Sequence, residues 1–235
     1  MAHFTNLGDL IVRDRDLDKV AVIDLGGEPV PRELTYAQLD AMSNAVARAL
    51  LARRLKRGER VAILSANRAE FLAAYFGIMR AGLVAVPVNF KFPRPTIHFI
   101  MQDAGARFVF CDRPQRADCP AGLPAVVFGG EGPESFDAFL DPGPFEAIVP
   151  TPNEPGMFLY TSGSTGTPKG VVLSHQSHIW VVEARLAPGL DRHRYLIAAP
   201  LYHMNALALS LLACAAHATN VLLPQFAARG YIEAI

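Results

Sequence analysis

Along this chain, short runs of β-branched and aliphatic residues trade places with longer stretches whose apolar positions recur every three or four residues. Val20 to Leu25 has the makeup of a strand and stops at Gly26-Gly27. Thr35 and Gln38 then form the reciprocal pair of a capping box, opening a helix on which Leu39, Met42, Val46 and Leu50 share one face. Gly58 is expected to mark the exit of that helix. The same reading gives a strand over Val61 to Leu64, a helix over Arg68 to Ala81 closed by Gly82, and a strand over Val84 to Val88. A helix over Thr96 to Ala104 and a strand over Phe108 to Cys111 follow. Strands separated by helices imply an α/β fold with a largely parallel sheet and helices packed on it in layers.

The stretch from Gly129 to Gly156 is dense in glycine and proline, so it is expected to run over the surface between two packed regions. It sets a soft boundary between an amino-terminal α/β subdomain, 1–150, and a second segment, 151–235. Beyond it lie an apolar strand from Met157 to Tyr160, a polar glycine loop, a strand from Val171 to Leu173, a helix starting near Ser174 and a strand from Tyr195 to Ala199. The late apolar stretch from Ala206 to Leu223 is broken by Ser210, His217, Thr219 and Asn220. It falls short of the ~20 apolar residues of a membrane span and reads as a buried helix followed by a strand.

Composition narrows the class without naming a chemistry. At 51% hydrophobic residues, with 18 glycines and 18 prolines, the chain belongs with globular proteins able to bury a sizeable core. Lys+Arg and Asp+Glu both total 22, so no charge excess draws it to nucleic acid or an anionic membrane, and partners must be argued from sites. Cys111, Cys119 and Cys214 are odd in number, widely spaced and without a C-x-x-C pair, which fits a reducing cytoplasm better than a disulfide framework. The charged opening MAHFTNLGDLIVRDRDLD lacks the apolar core of a signal peptide.

The candidate chemistry sits in TSGSTGTPKG, Thr161 to Gly170, between the apolar runs MFLY and VVL. This connection exceeds the about two to five residues usual in a hairpin. It carries the hydroxyls of Thr161, Ser162, Ser164, Thr165 and Thr167, the turn-permitting Gly163, Gly166 and Gly170, and the cation Lys169. Glycines let backbone amides turn toward an anion, and Pro168 limits the entropy lost on ordering. Together these suit a polyphosphate. A flexible linker would not sit tightly between two apolar strands or end in Pro-Lys-Gly. A P-loop of the NTPase type fails on register, because counting from Gly163 its second glycine falls on Pro168 and its hydroxyl on Gly170.

Tyr160 to His175, YTSGSTGTPKGVVLSH, resembles the phosphate-loop signature of the adenylate-forming acyl-CoA synthetases, luciferases and peptide-synthetase adenylation domains. The resemblance extends through LTYAQLDAMSNAVARAL, MRAGLVAVPVNFKF and APLYHMNAL, and so covers nearly the whole chain. It implies the large amino-terminal domain of an acyl-CoA synthetase, present in part. It also implies a ligase of acid–thiol type that joins a carboxylic acid to the α-phosphate of ATP, releases pyrophosphate and passes the acyl group to coenzyme A, as in fatty acid metabolism. On this resemblance Thr161, Ser162, Gly163, Ser164, Thr165, Gly166, Thr167 and Lys169 hold the ATP phosphates with magnesium, while Tyr202 and His203 border the acyl pocket.

Family members continue well past the point where this sequence closes with ARGYIEAI. The resemblance therefore implies an amino-terminal fragment without the Tyr-Gly-x-Thr-Glu segment, the ribose-binding aspartate or the catalytic lysine, inactive alone. Lys169 belongs to the phosphate loop and is not that lysine. A non-catalytic nucleotide-binding or assembly module that keeps the fold is the alternative. An incomplete sheet with open edges is expected to self-associate into a homo-oligomer.

Three smaller patterns read as structural. Asp14, Asp16 and Asp18 have calcium-loop spacing, but Lys19 replaces the required glycine and Leu25 the required glutamate, leaving a solvated turn. His175 and His178 lack a third metal ligand and are expected at the surface or as caps. Arg53, Arg54, Lys56, Arg57 and Arg60 crowd a predicted helix end, where cations meet bare carbonyls.

Overall fold

The computed structural model describes residues 4–27, 31–161 and 167–235. Strand β1 (Val20–Asp24) pairs antiparallel with β2 (Arg32–Thr35), and Thr35 then caps α1 (Tyr36–Ala52). Both halves of the expected capping box form: the Gln38 amide donates to Thr35 Oγ1 at 3.2 Å, and the Thr35 amide donates to Gln38 Oε1 at 2.8 Å. The helix ends well before Gly58. Arg54 takes the left-handed conformation at φ 63°, and Gly58, at φ 80°, belongs to a separate turn into β3 (Arg60–Leu64).

The units that follow are α2 (Ala69–Arg80), β4 (Val84–Pro87), α3 (Arg94–Asp103) and β5 (Ala106–Asp112). After a 3-10 turn over Arg113–Asp118 come β6 (Ala125–Phe128) and the single turn α4 (Phe136–Phe139). The alternation pattern did not announce β2, β6 or α4. Of these, α4 falls inside the glycine- and proline-rich stretch, where Phe136 and Phe139 bury themselves edge-on against Phe110. Two apolar anchors outweigh poor local propensity there. The rest of the chain forms β7 (Pro155–Thr161), β8 (Lys169–Ser174), α5 (His175–Glu183), β9 (Arg194–Ile197), α6 (Met204–Ala215), β10 (Thr219–Leu222) and α7 (Ala228–Glu233).

Two sheets result. One has six strands in the order β6-β5-β3-β4-β7-β8, parallel except for β8; the other has four in the order β2-β1-β10-β9. Strands β7 and β8 extend the first sheet, while β9 and β10 enter the second. All residues of α2 are buried, as befits a helix covered on every side. Its Gly77 permits the close crossing with α1: a Cβ there would meet Ser43 O and Val46 Cβ at 2.6 Å.

Charges inside this arrangement are paired. Arg80, fully buried on α2, donates to Gly8 O at 2.8 Å and Asn44 Oδ1 at 2.7 Å and pairs with Asp40 at 2.7 Å, pinning the residues before β1 onto the helix pair. Arg53 meets the carbonyl of Ala49 at its own helix end. Arg60 turns instead to Ala104 O behind α3, and Arg57 to Glu154. Asp14, Asp16 and Asp18 are exposed in turns. Among the described residues no helix is long and apolar enough to cross a membrane.

Candidate functional site

Side chains on β7 alternate between two cores. Met157 and Leu159 join the larger core with α1 and α2, while Phe158 and Tyr160 pack on the opposite face with the α3 core. The strand then delivers Thr161 to the exposed mouth of the hairpin, and the returning strand begins at Lys169 directly across from it. Ser162, Gly163, Ser164, Thr165 and Gly166 of the expected phosphate loop lie outside the described residues. Thr161, Thr167 and Lys169 are all exposed. Among the described residues the Lys169 ammonium makes no hydrogen bond or ion pair, and as an exposed cation it suits an anion.

Ser174 ends the hairpin by capping α5, its Oγ accepting from the Ser177 amide at 3.1 Å. His175 and His178 follow, and both are buried rather than at the surface as expected. The Leu7 amide donates to His175 Nδ1 at 3.0 Å, and burial lowers the pKa of this imidazole to about 4, keeping it neutral. His178 Nε2 lies 3.2 Å from Met204 Sδ, which couples α5 to the start of α6. The long-range acceptor need of Leu7 has no sequence signature, which is why the histidine pattern misled.

Tyr202 and His203 occupy the turn between β9 and α6, at the carboxyl end of a parallel strand, where open α/β sheets place ligands. Tyr202 is buried and packs edge-on against Phe90 at 5.6 Å between ring centroids, and against the ring of His203 at 4.8 Å. His203 is exposed at the head of α6. The structure thus joins Tyr202 and His203 to each other, and Thr161 to Lys169 across the hairpin. The His178–Met204 contact is one link between α5, which follows the hairpin, and α6, which follows Tyr202 and His203.

Asn67 was not singled out by sequence reasoning, yet it holds this turn. It lies between β3 and α2, buried, and its Nδ2 donates to Ala199 O at 2.9 Å while its Oδ1 accepts from the Leu201 amide at 2.7 Å. A lone asparagine after a strand was the available signal. Phe90, just past β4, is the other missed residue.

Nearby strand ends gather a charged cluster. Asp24 Oδ2 accepts the Ala69 amide at the start of α2 at 2.9 Å, and Arg32 pairs with Glu70 at 2.7 Å. Burial opposes ionisation of Glu70, but hydrogen bonds from Arg32 and Arg68 outweigh it and lower the pKa of the carboxyl to about 2.

A family profile described as AMP-binding enzyme matches residues 12–235. The fatty acid–[acyl-carrier-protein] ligase ScoC of Streptomyces coeruleorubidus is 36% identical over 217 residues, covering 87% of this chain and 41% of that protein. The long-chain-fatty-acid–CoA ligase FadD13 of Mycobacterium tuberculosis is 32% identical over 203 residues, covering 82% of this chain and 40% of that protein. The inhibitor-bound N-terminal domain of FACL13 from Mycobacterium tuberculosis superposes with a TM-score of 0.85 at 27% identity, covering 99% of this chain and 60% of that one. The chain therefore spans about 40% of the length of these two ligases. Since the matched region takes in the hairpin, Tyr202 and His203, the chain belongs to the AMP-binding family of adenylate-forming ligases, with the fold of their amino-terminal domain.

Proposed function

We propose that this chain is the phosphate-binding, amino-terminal part of an ATP-dependent, AMP-forming carboxylate–CoA ligase. The observation that carries the reading is the β7–β8 hairpin, which sets Thr161 and the exposed Lys169 opposite each other where the hydroxyl- and glycine-rich segment joins the two strands. When a carboxylate attacks the α-phosphate, negative charge builds on the departing pyrophosphate. Hydroxyl and amide donors from Thr161 through Thr167, with the Lys169 cation, stabilise that charge in the transition state. Magnesium enters as part of the Mg·ATP substrate and shares the charge of the phosphates.

Tyr202 and His203, with Phe90 against Tyr202, form one wall of the acyl pocket in this reading. Two relatives named for fatty-acid ligation support a fatty carboxylic acid as substrate, and one of them supports coenzyme A as acceptor. The reading places the protein in the cytoplasm, where both co-substrates are found.

Calorimetric titration of Mg·ATP into the chain, beside Lys169→Ala, tests this. Weak binding that the variant reduces by about tenfold or more is expected, the share of one charge-assisted contact to phosphate. Absence of binding to the unaltered chain removes the phosphate-loop reading. Carboxylate-dependent pyrophosphate release by this chain alone is not expected, and its detection would overturn the assignment as an incomplete, non-catalytic portion.

A further inference from the structure

Tyr160 is the last residue of β7 before Thr161, and on the face shared with α3 its hydroxyl donates to Asp103 Oδ2 at 2.6 Å. That is the length of a charge-assisted bond. The ring itself lies over Gly170, the cross-strand partner of Tyr160 and the neighbour of Lys169: a Cβ at Gly170 would come within 2.9 Å of Tyr160 Cζ. Asp103 is the final residue of α3. A carboxylate there meets the negative end of the helix dipole, so the stability of α3 gives no reason for it. Burial, and then the Asp103 acceptor, push the Tyr160 hydroxyl pKa up, which keeps the proton on the donor.

We propose that Tyr160 and Asp103 are positioning residues for the phosphate loop, Asp103 locking the Tyr160 ring over Gly170 and thereby fixing how Thr161 and Lys169 leave the sheet. The inference rests on the loop being a polyphosphate site. Thr161 and Lys169 form the next cross-strand pair after Tyr160 and Gly170, so any tilt of the ring passes directly into the two residues that aim donors at the anion. The contact is at the surface, so its loss leaves the fold intact.

Magnesium tripolyphosphate, which offers only phosphate oxygens, is the probe, titrated into the chain by calorimetry beside Tyr160→Phe, Asp103→Ala and Asp103→Asn. Tyr160→Phe and Asp103→Ala are expected to weaken binding about three- to tenfold at an unchanged thermal midpoint. Asp103→Asn, which keeps a neutral acceptor, should restore affinity to within about twofold. Binding that Lys169→Ala weakens while Tyr160→Phe and Asp103→Ala leave it unaltered overturns the positioning role alone. An unaltered chain that binds no tripolyphosphate removes the phosphate-loop reading and this inference with it.

Discussion

The side-chain oxygen of Asn67 accepts the backbone N–H of Leu201 at 2.7 Å, across 134 residues of sequence. The same carboxamide donates to Ala199 O, and the Asn67 amide donates to Pro224 O at 3.3 Å. One buried residue between β3 and α2 thus stitches the six-stranded sheet, by its side chain to the turn that ends β9 and by its backbone amide to the turn that ends β10. Tyr202 stands where it does because this turn is held.

Asn67→Ala should therefore lower the unfolding free energy by about 2–4 kcal/mol, because it strands the Leu201 amide and the Ala199 carbonyl without partners in a buried site. Urea denaturation should show a lower midpoint at unchanged slope. A loss within about 0.5 kcal/mol, the range of ordinary surface substitutions, would show that water replaces the carboxamide there.

His175 gives the fold a pH dependence whose sign follows from its burial. Its folded pKa is about 4, below the usual 6.5, so the unfolded chain takes up a proton that the folded chain refuses between those values. Stability is then flat above that window and falls as pH drops through it, by on the order of 3 kcal/mol for this residue. Burial lowers His178 as well and adds in the same direction. Thermal scans from pH 7 to about 4 should show the decline. His175→Asn, which keeps an acceptor for the Leu7 amide, should flatten it even if the variant is less stable throughout.

Tyr202 packs by its ring, since among the described residues its hydroxyl has no hydrogen-bond partner. Tyr202→Phe is expected to leave stability within about 0.5 kcal/mol, while Tyr202→Ala should cost about 3–5 kcal/mol. A double-mutant cycle with Phe90→Ala should return a coupling of about 0.5–1.5 kcal/mol, the value of an edge-to-face pair. Zero coupling would mean that the two rings meet only by neighbourhood.

Among the described residues strand β8 bonds to β7 alone, and it exposes Val171 and Val172, at 44% and 58%. Trp180 on the following helix is 70% exposed. An unpaired apolar edge of this kind templates pairing with a second chain, so sedimentation should show concentration-dependent self-association. Val172→Lys should shift the distribution to monomer. A monodisperse monomer for the unaltered chain would contradict the expectation.

Local pattern was enough to reveal the strand and helix succession, the Thr35–Gln38 box, the late helix followed by a strand, and the loop with its family signature. Each of these depends on period, turn chemistry or residue type within a few positions, and the sequence carries that directly. It could not reveal β2, whose four residues Arg32–Thr35 include two charges and become a strand only because β1 lies beside them. Nor could it place His175 under Leu7, Asn67 against Leu201, or Tyr160 against Asp103, because each partner is chosen by how distant elements dock. The end of α1 shows the same limit: with no glycine at the stop, Arg54 itself takes the left-handed turn that composition assigned to Gly58. Short-range rules wrote the elements and the loop, and burial across long separations decided which polar groups had to find each other.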